Sequence, residues 1–367
     1  MFPGRPRRIL VVDDSSVMRS LLRSAIASDS ALTLAGTAAD GASALGMIDS
    51  VQPDLILLDV EMPVLDGLAT LRQLRARGKR LPVIMCSSLT QRGARVTIEA
   101  LASGATDYVA KPESNADNSS QAFVHDLLRK IHALTQPFFP ASRVPSLTAP
   151  AVPKMQAALP APTIVVIGVS TGGPAALQTT LSLLPSTFPL PVLIVQHMPE
   201  LFTRILAERL SRDCLLPVCE AAEGDIVRPG RVAIARGNRH MEIASHPSAS
   251  SSSKLHLSQA PLENYCRPSV DVLFRSAAEA YGSGVLAVVL TGMGSDGLAG
   301  TRMVHARGGT ILAQDEATSA VWGMPGAVVH AGLAHRVLPI QHIGKEILRL
   351  TAKSSAPIAA PRETVAS

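Results

Sequence analysis

Aromatic residues are scarce in this 367-residue chain, at 3% of positions. Proteins that grip single-stranded nucleic acid stack its bases on aromatic rings, so that class is excluded. Cysteine is equally thin, and Cys86, Cys214, Cys219 and Cys266 contain no C-x-x-C pair. A disulfide framework or a structural zinc site has nothing to build on, and reduced thiols in a cytosolic protein are the simpler expectation. No apolar run approaches the about 18 residues of a membrane span. At the N-terminus Asp13 and Asp14 interrupt Ile9–Val12 long before it reaches the length of a signal-peptide core. Charge of one sign is also nearly balanced. The 34 Lys+Arg against 29 Asp+Glu leave +5, partly from Arg5, Arg7 and Arg8, which marks no polyanionic partner. The chain is expected to be cytoplasmic, without nucleic-acid binding or direct membrane insertion.

Apolar residues, by contrast, make up 47% of the chain, enough to fill substantial cores. At about 100–200 residues per domain the length suits two domains or three. The texture breaks between Pro137 and Pro162, where seven of the 27 prolines stand (137, 140, 145, 150, 153, 160, 162) with only Arg143 and Lys154 as charges. Such proline density disfavours helix and central strand, so residues 136–162 read as a semi-rigid linker. The serine-rich stretch 245–253 reads as a loop between strands, and 353–367 as a disordered tail.

Before the linker, the short apolar runs Ile9–Val12, Leu32–Gly36, Leu55–Leu58, Val83–Cys86 and Tyr108–Ala110 alternate with segments of helical spacing, such as Val17, Leu21, Leu22 and Ile26. Five repetitions predict a doubly wound, parallel α/β sheet over residues 7–135. Alternation resumes over 163–352 with Ile164–Ile167, a helix from Pro174, Val192–Val195 and a helix from Glu200. Val218–Leu257 reads as antiparallel hairpins, and parallel character returns with Val285–Leu290 and Thr310–Ala313. The second domain is therefore also α/β.

Functional groups in open α/β sheets gather at the carboxyl ends of strands. Asp13 and Asp14 end the first strand and Asp59 the third; with those strands adjacent, three carboxylates converge. A hard cation such as Mg²⁺ relieves that crowding. Ser87 and Lys111 close strands four and five and add a hydroxyl and an ammonium, a pairing suited to a phosphoryl group. An aspartate after a strand serves equally as a helix N-cap, an alternative that weakens when five groups share one rim.

The motifs VVDDSSVMR, LLDVEMPVLDG, VIMCSSLT and Lys111-Pro112 resemble, in order, those of the receiver domain of two-component response regulators. The resemblance implies a flavodoxin-like fold and Asp59 as acceptor of a phosphoryl group from a histidine kinase. It further implies Mg²⁺ held by Asp13, Asp14, Asp59 and the Glu61 backbone carbonyl, Lys111 as the phosphate's partner, and Ser87 as the switch. Lys111-Pro112 is a candidate cis peptide.

A second constellation begins at Gly168-Val169-Ser170-Thr171-Gly172-Gly173-Pro174. The dinucleotide pattern G-x-G-x-x-G fails because Ser170 stands at the second glycine, and the P-loop fails because no lysine follows Gly173. The segment fits G-x-S-x-G, a nucleophile elbow; a serine in a glycine-rich turn also serves as a plain N-cap. Two partners favour the first reading. His197 follows Val192–Val195, and Asp296 follows Val285–Leu290 within LTGMGSDG, so one sheet would bring hydroxyl, imidazole and carboxylate together. Seven other histidines of this domain have no comparable setting.

GVSTGGP, VQHMP, RPSVDVLFRSAAE, LTGMGSDG, Gln314-Asp315 and Gly323-Met324-Pro325 closely resemble the catalytic domain of the chemotaxis protein-glutamate methylesterases, the CheB family. That resemblance implies Ser170 as nucleophile, His197 as general base, Asp296 as its orienter and the Met293 backbone amide as an oxyanion donor, with no cofactor in the esterase site. It implies, as substrates, γ-glutamyl methyl esters and certain glutamines on the cytoplasmic domains of chemoreceptors, and the chemotaxis histidine kinase CheA as phosphodonor. The chain departs from the family at Ala235-Arg236-Gly237, where a proline usually follows the alanine, and in the serine-rich loop. Two other classes remain open: a docking protein on an esterase fold, and a DNA-binding regulator. The second is disfavoured because no basic recognition helix follows the linker.

Overall fold

The computed structural model describes residues 5–112, 119–135, 159–244 and 253–352. Most of the linker, the serine-rich loop except Ser253, and the tail lie outside the described residues. Among the described residues no helix is long and apolar enough to cross a membrane.

In the first unit, strands β1 (Arg7–Val12), β2 (Leu32–Ala38), β3 (Leu55–Asp59), β4 (Val83–Ser87) and β5 (Asp107–Ala110) alternate with helices α1 (Ser16–Ala27), α2 (Gly41–Val51), α3 (Gly67–Ala76), α4 (Gln91–Ala102) and α5 (Ser119–Thr135). All pair in parallel in the order β2-β1-β3-β4-β5, which sets the ends of β1 and β3 side by side. Strands buried on both faces are read as continuous apolar runs because helices cover each side. Leu55–Leu58 and Val83–Cys86 are such runs.

The second unit holds β6 (Ile164–Val169), α6 (Gly173–Leu181), β7 (Val192–Gln196), α7 (Glu200–Asp213), β8 (Val218–Glu220), β9 (Val232–Ile234), β10 (His240–Ala244), β11 (Lys254–Ser258), α8 (Val270–Tyr281), β12 (Val285–Val289), α9 (Leu298–Ala306), β13 (Thr310–Gln314), α10 (Gly323–His330), β14 (Arg336–Leu338) and α11 (Ile340–Ala352). Seven strands form one parallel sheet in the order β14-β13-β12-β6-β7-β9-β8, and β10 pairs with β11 as an antiparallel hairpin. The antiparallel expectation for Val218–Leu257 is thus corrected in its first half. β8 and β9 pair in parallel and extend the main sheet, joined by a connection long enough for a crossover without a helix.

The two units share a core. One cluster of buried apolar side chains runs from Leu58, Met85 and Tyr108 into Phe202, Leu206 and Leu210. Tyr108 stacks on Phe202 across the junction, with ring centroids 4.4 Å apart. Arg95 of α4 faces Glu208 of α7 at 3.4 Å.

Candidate active site and phosphoacceptor site

In the first unit, Lys111 follows β5 and reaches back across the strand ends. Its Nζ lies 2.9 Å from Asp13 Oδ2 and 2.7 Å from Asp59 Oδ2. Asp13 and Asp59 are buried and Asp14 is exposed, and one carboxylate oxygen of each lies within 4.8 Å of the others. Asp14 does not cap α1; Ser15 does, its side chain accepting from the Met18 amide. Burial raises the Asp59 carboxyl above the usual carboxylate range against the opposing pull of Lys111. The Lys111 ammonium is lowered by burial, but Asp59 and Asp13 outweigh that and hold it above its ordinary value. Gly67 is required beside this site, because a Cβ there would stand 2.0 Å from the Asp59 carbonyl oxygen.

The donor set fits a hard divalent cation. Asp13 Oδ2 is ion-paired yet buried without a directed hydrogen bond, and the Glu61 carbonyl accepts none among the described residues. All these donors are oxygens, as Mg²⁺ prefers. The Glu61 side chain itself turns to Arg92 at 3.2 Å. Ser87 is buried and donates to the Ser88 carbonyl at 3.2 Å rather than touching Asp59. The Lys111–Pro112 peptide is not cis; among the described residues that geometry belongs to Arg267–Pro268.

In the second unit the segment after β6 turns sharply. The Ser170 amide donates to the Thr291 carbonyl at 3.0 Å, the Gly173 amide returns to the Ser170 carbonyl at 2.8 Å, and Gly172 adopts φ +77°, which favours glycine. Helix α6 starts at Gly173 with Gly172 as N-cap and no side-chain cap bond. Ser170 therefore does not serve as the N-cap, and its hydroxyl has no hydrogen-bond partner among the described residues.

His197 and Asp296 meet: Nε2 and Asp296 Oδ2 are 2.8 Å apart. Oδ2 also accepts from the Val270 amide at 2.7 Å. Oδ1 accepts from Ser269 Oγ and Asn264 Nδ2 at 2.8 Å each, and from the amides of Asp271 and Gly297. Burial alone would raise this carboxyl, but His197 and these donors hold it well below the usual range. The same pair acts on the imidazole. Burial disfavours its charge, yet Asp296, joined by the Cys266 sulfur, pushes it up to about 9.

Ser170, His197, Asp296 and Met293 line one cavity of about 320 Å³. The Met293 amide makes no hydrogen bond among the described residues. Ser170 and His197 are brought to one cavity but not bonded. The other wall comes from the first unit: Asp107, Tyr108, Arg129 and Lys130. Sequence reasoning expected the receiver to cover this site but named none of these wall residues, and it missed Asn264 and Cys266. The turn Glu263–Cys266 carries the last two, and its Asn–Tyr centre was the available signal, since asparagine tolerates positive φ.

Comparison with known proteins follows the same division. A family model of the response regulator receiver domain matches residues 9–121, and one of the CheB methylesterase matches 165–347. A protein-glutamate methylesterase/protein-glutamine glutaminase of a Nocardioides species is 47% identical, covering 94% of this chain and 96% of that one. Another from Trichodesmium erythraeum is 44% identical, over 93% and 98%. The Thermotoga maritima CheB methylesterase catalytic domain superposes with a TM-score of 0.50 at 42% identity, covering 52% of this chain and 98% of its own.

Proposed function

The chain belongs to the CheB protein-glutamate methylesterase family, and we propose on that premise that Ser170, His197 and Asp296 are the machinery of a serine hydrolase gated by phosphorylation at Asp59. The activity is hydrolysis of γ-glutamyl methyl esters, with deamidation of glutamines, on the cytoplasmic domains of chemoreceptors during chemotactic adaptation. The setting is the cytoplasm and the phosphodonor is the chemotaxis kinase CheA. Residues 7–135 are the receiver, 136–162 the linker, 163–352 the esterase and 353–367 the tail.

The reading is carried by the 2.8 Å bond between His197 and Asp296 in the cavity that Ser170 lines. Asp296 occupies Nε2, so Nδ1 is the nitrogen left to take the Ser170 proton. As Oγ attacks the ester carbonyl, the proton passes to Nδ1, and ionised Asp296 stabilises the imidazolium. The carbonyl oxygen becomes an oxyanion, and the unpartnered Met293 amide supplies a donor to it. Nδ1 returns the proton to the departing methoxide, methanol leaves, and the acyl group stays on Ser170. Water then gives a proton to the same nitrogen and attacks the acyl carbon. Ser170 leaves with that proton, releasing the glutamate carboxylate.

At the receiver, an Asp59 oxygen attacks the phosphorus of the donor phosphohistidine, and Lys111 pairs with the transferred group. Asp13, Asp14, Asp59 and the Glu61 carbonyl would hold Mg²⁺, which would neutralise charge on that group. Ser87 turns from the Ser88 carbonyl toward the new phosphoryl oxygens. Lys111 directly follows β5, and Asp107 at the other end of that strand forms part of the cavity wall. A shift at one end of β5 therefore acts on the cover at the other.

The test is methanol release from methylated receptor membranes by the purified chain with Mg²⁺, with and without a small phosphodonor. Release that rises with phosphodonor and vanishes in Ser170→Ala is expected. Release by Ser170→Ala at the wild-type rate would overturn the assignment.

A further inference from the structure

His197 has two ring nitrogens, and the structure shows both occupied. Nε2 faces Asp296, and Nδ1 lies 3.7 Å from the sulfur of Cys266, a hydrogen-bonding distance for sulfur. The Ser170 hydroxyl, which needs Nδ1, has no hydrogen-bond partner among the described residues. We propose that Cys266 is a positioning residue of the esterase: its sulfur accepts a hydrogen bond from the Nδ1–H of His197 while the receiver covers the cavity, and yields that nitrogen to Ser170 when the cavity opens. This rests on the assignment of His197 as the base of Ser170.

The placement of Cys266 is built into the fold. Glu263 and Cys266 exchange backbone bonds, 3.1 Å from the Glu263 amide to the Cys266 carbonyl and 2.9 Å in return, which closes a two-residue turn. Its central residues, Asn264 and Tyr265, sit at φ 53° and 62°, a geometry that ordinarily selects glycine at one of the two. Such strain persists only where neighbours over-determine it. Glu263 is held by both Nη atoms of Arg275 at 2.6 Å, and Asn264 donates to Asp271 at 2.9 Å and to Asp296 at 2.8 Å. The turn thus fixes the carboxylate and the thiol on opposite sides of one imidazole.

Cys266 is half-buried and lines the cavity, so it competes with Ser170 rather than lying behind the site. The titratable groups facing His197 are Asp296 and Cys266 in contact, with Asp107, Arg129 and Lys130 across the cavity. Removing the sulfur takes away one of two contacts that favour the protonated ring, and leaves Nδ1 to Ser170.

The experiment is kcat/KM for methanol release against pH, without phosphodonor, in wild type, Cys266→Ala and Cys266→Ser. Cys266→Ala is expected to move the rising limb down by about half a pH unit, which is about threefold in rate on that limb, since one unit is tenfold. Cys266→Ser, which keeps an acceptor on a shorter side chain, should fall between. A limb that superimposes on wild type overturns the proposal whatever happens to the rate, because a merely structural role changes the rate at all pH values alike. Should Cys266→Ala fail to fold, Cys266→Ser decides by the same criterion. Iodoacetamide labelling of Cys266, followed by mass spectrometry, reads the pairing without esterase activity. Labelling at pH 7 should slow severalfold in His197→Gln, and equal labelling would overturn the contact even if the hydrolase assignment stood.

Discussion

The hydroxyl of Thr171, the residue after Ser170, donates a 2.7 Å hydrogen bond to Asp107 Oδ2 of the receiver, with both residues buried. A polar link between the two units thus sits one residue from the proposed nucleophile. Asp107 also lies 3.7 Å from Lys130, whose Nζ donates to the Tyr108 carbonyl at 2.6 Å. A hydrogen bond to a charged acceptor is worth about 1.5–3 kcal/mol. Asp107→Ala should therefore loosen the cover and raise methanol release without phosphodonor roughly tenfold, 1.4 kcal/mol being one decade. An unchanged basal rate would show that the link does not hold the cover.

Lys111 is the cation that two buried carboxylates share. Removing one partner of a buried ion pair costs about 3–5 kcal/mol, because the charge left behind is unpaired. Lys111→Ala should lower the urea midpoint of the receiver transition and abolish stimulation by phosphodonor. Asp59→Asn should lose stimulation too while keeping basal release. Stimulation of either variant to the wild-type level would contradict the scheme.

The covered site should favour alkaline conditions. The His197 imidazole is pushed from its ordinary 6.5 up to about 9, and only its neutral form accepts the Ser170 proton. Basal kcat/KM should rise from pH 7 toward pH 9. Stability carries the opposite sign: the protonated ring contributes fully below pH 6.5, and the contribution is lost as pH climbs through about 9. Asp296, held below its ordinary 3.8, contributes above that value and loses the contribution as pH falls beneath it. A basal profile flat between pH 7 and 9 would refute the assignment of the rising limb to His197.

Asp296→Asn replaces an acceptor of six hydrogen bonds with a group that donates on one side. An amide in that position favours the wrong imidazole tautomer and cannot stabilise the imidazolium. Release should fall roughly a thousandfold or more. A loss below tenfold would mean that His197 is oriented by other contacts.

Both sheets were legible because strands such as Leu55–Leu58 and Ile164–Ile167 are covered on each face and leave unbroken apolar runs. The candidate residues were legible because chemistry collects where those runs end: Asp59, Ser170 and His197 stand there, and Asp296 lies in the loop that follows β12. β8 and β9 were misread because three-residue strands carry no period that distinguishes parallel from antiparallel pairing. Cys266 and Asn264 reach the site through a turn with positive φ, which apolar spacing does not encode. The Asp107–Thr171 link joins residues 64 positions apart, in separate units, and no local pattern announces such a partner.

The apolar junction between Tyr108 and Phe202 makes the gate respond to temperature. Contacts driven by apolar burial weaken on cooling and tighten toward physiological warmth. Warming speeds the chemistry at the proposed nucleophile Ser170 and at the same time draws the two units more firmly together. The two responses oppose each other, so basal hydrolysis should climb less steeply with temperature than hydrolysis by the phosphorylated enzyme. The receiver then acts as a thermal buffer on the resting rate.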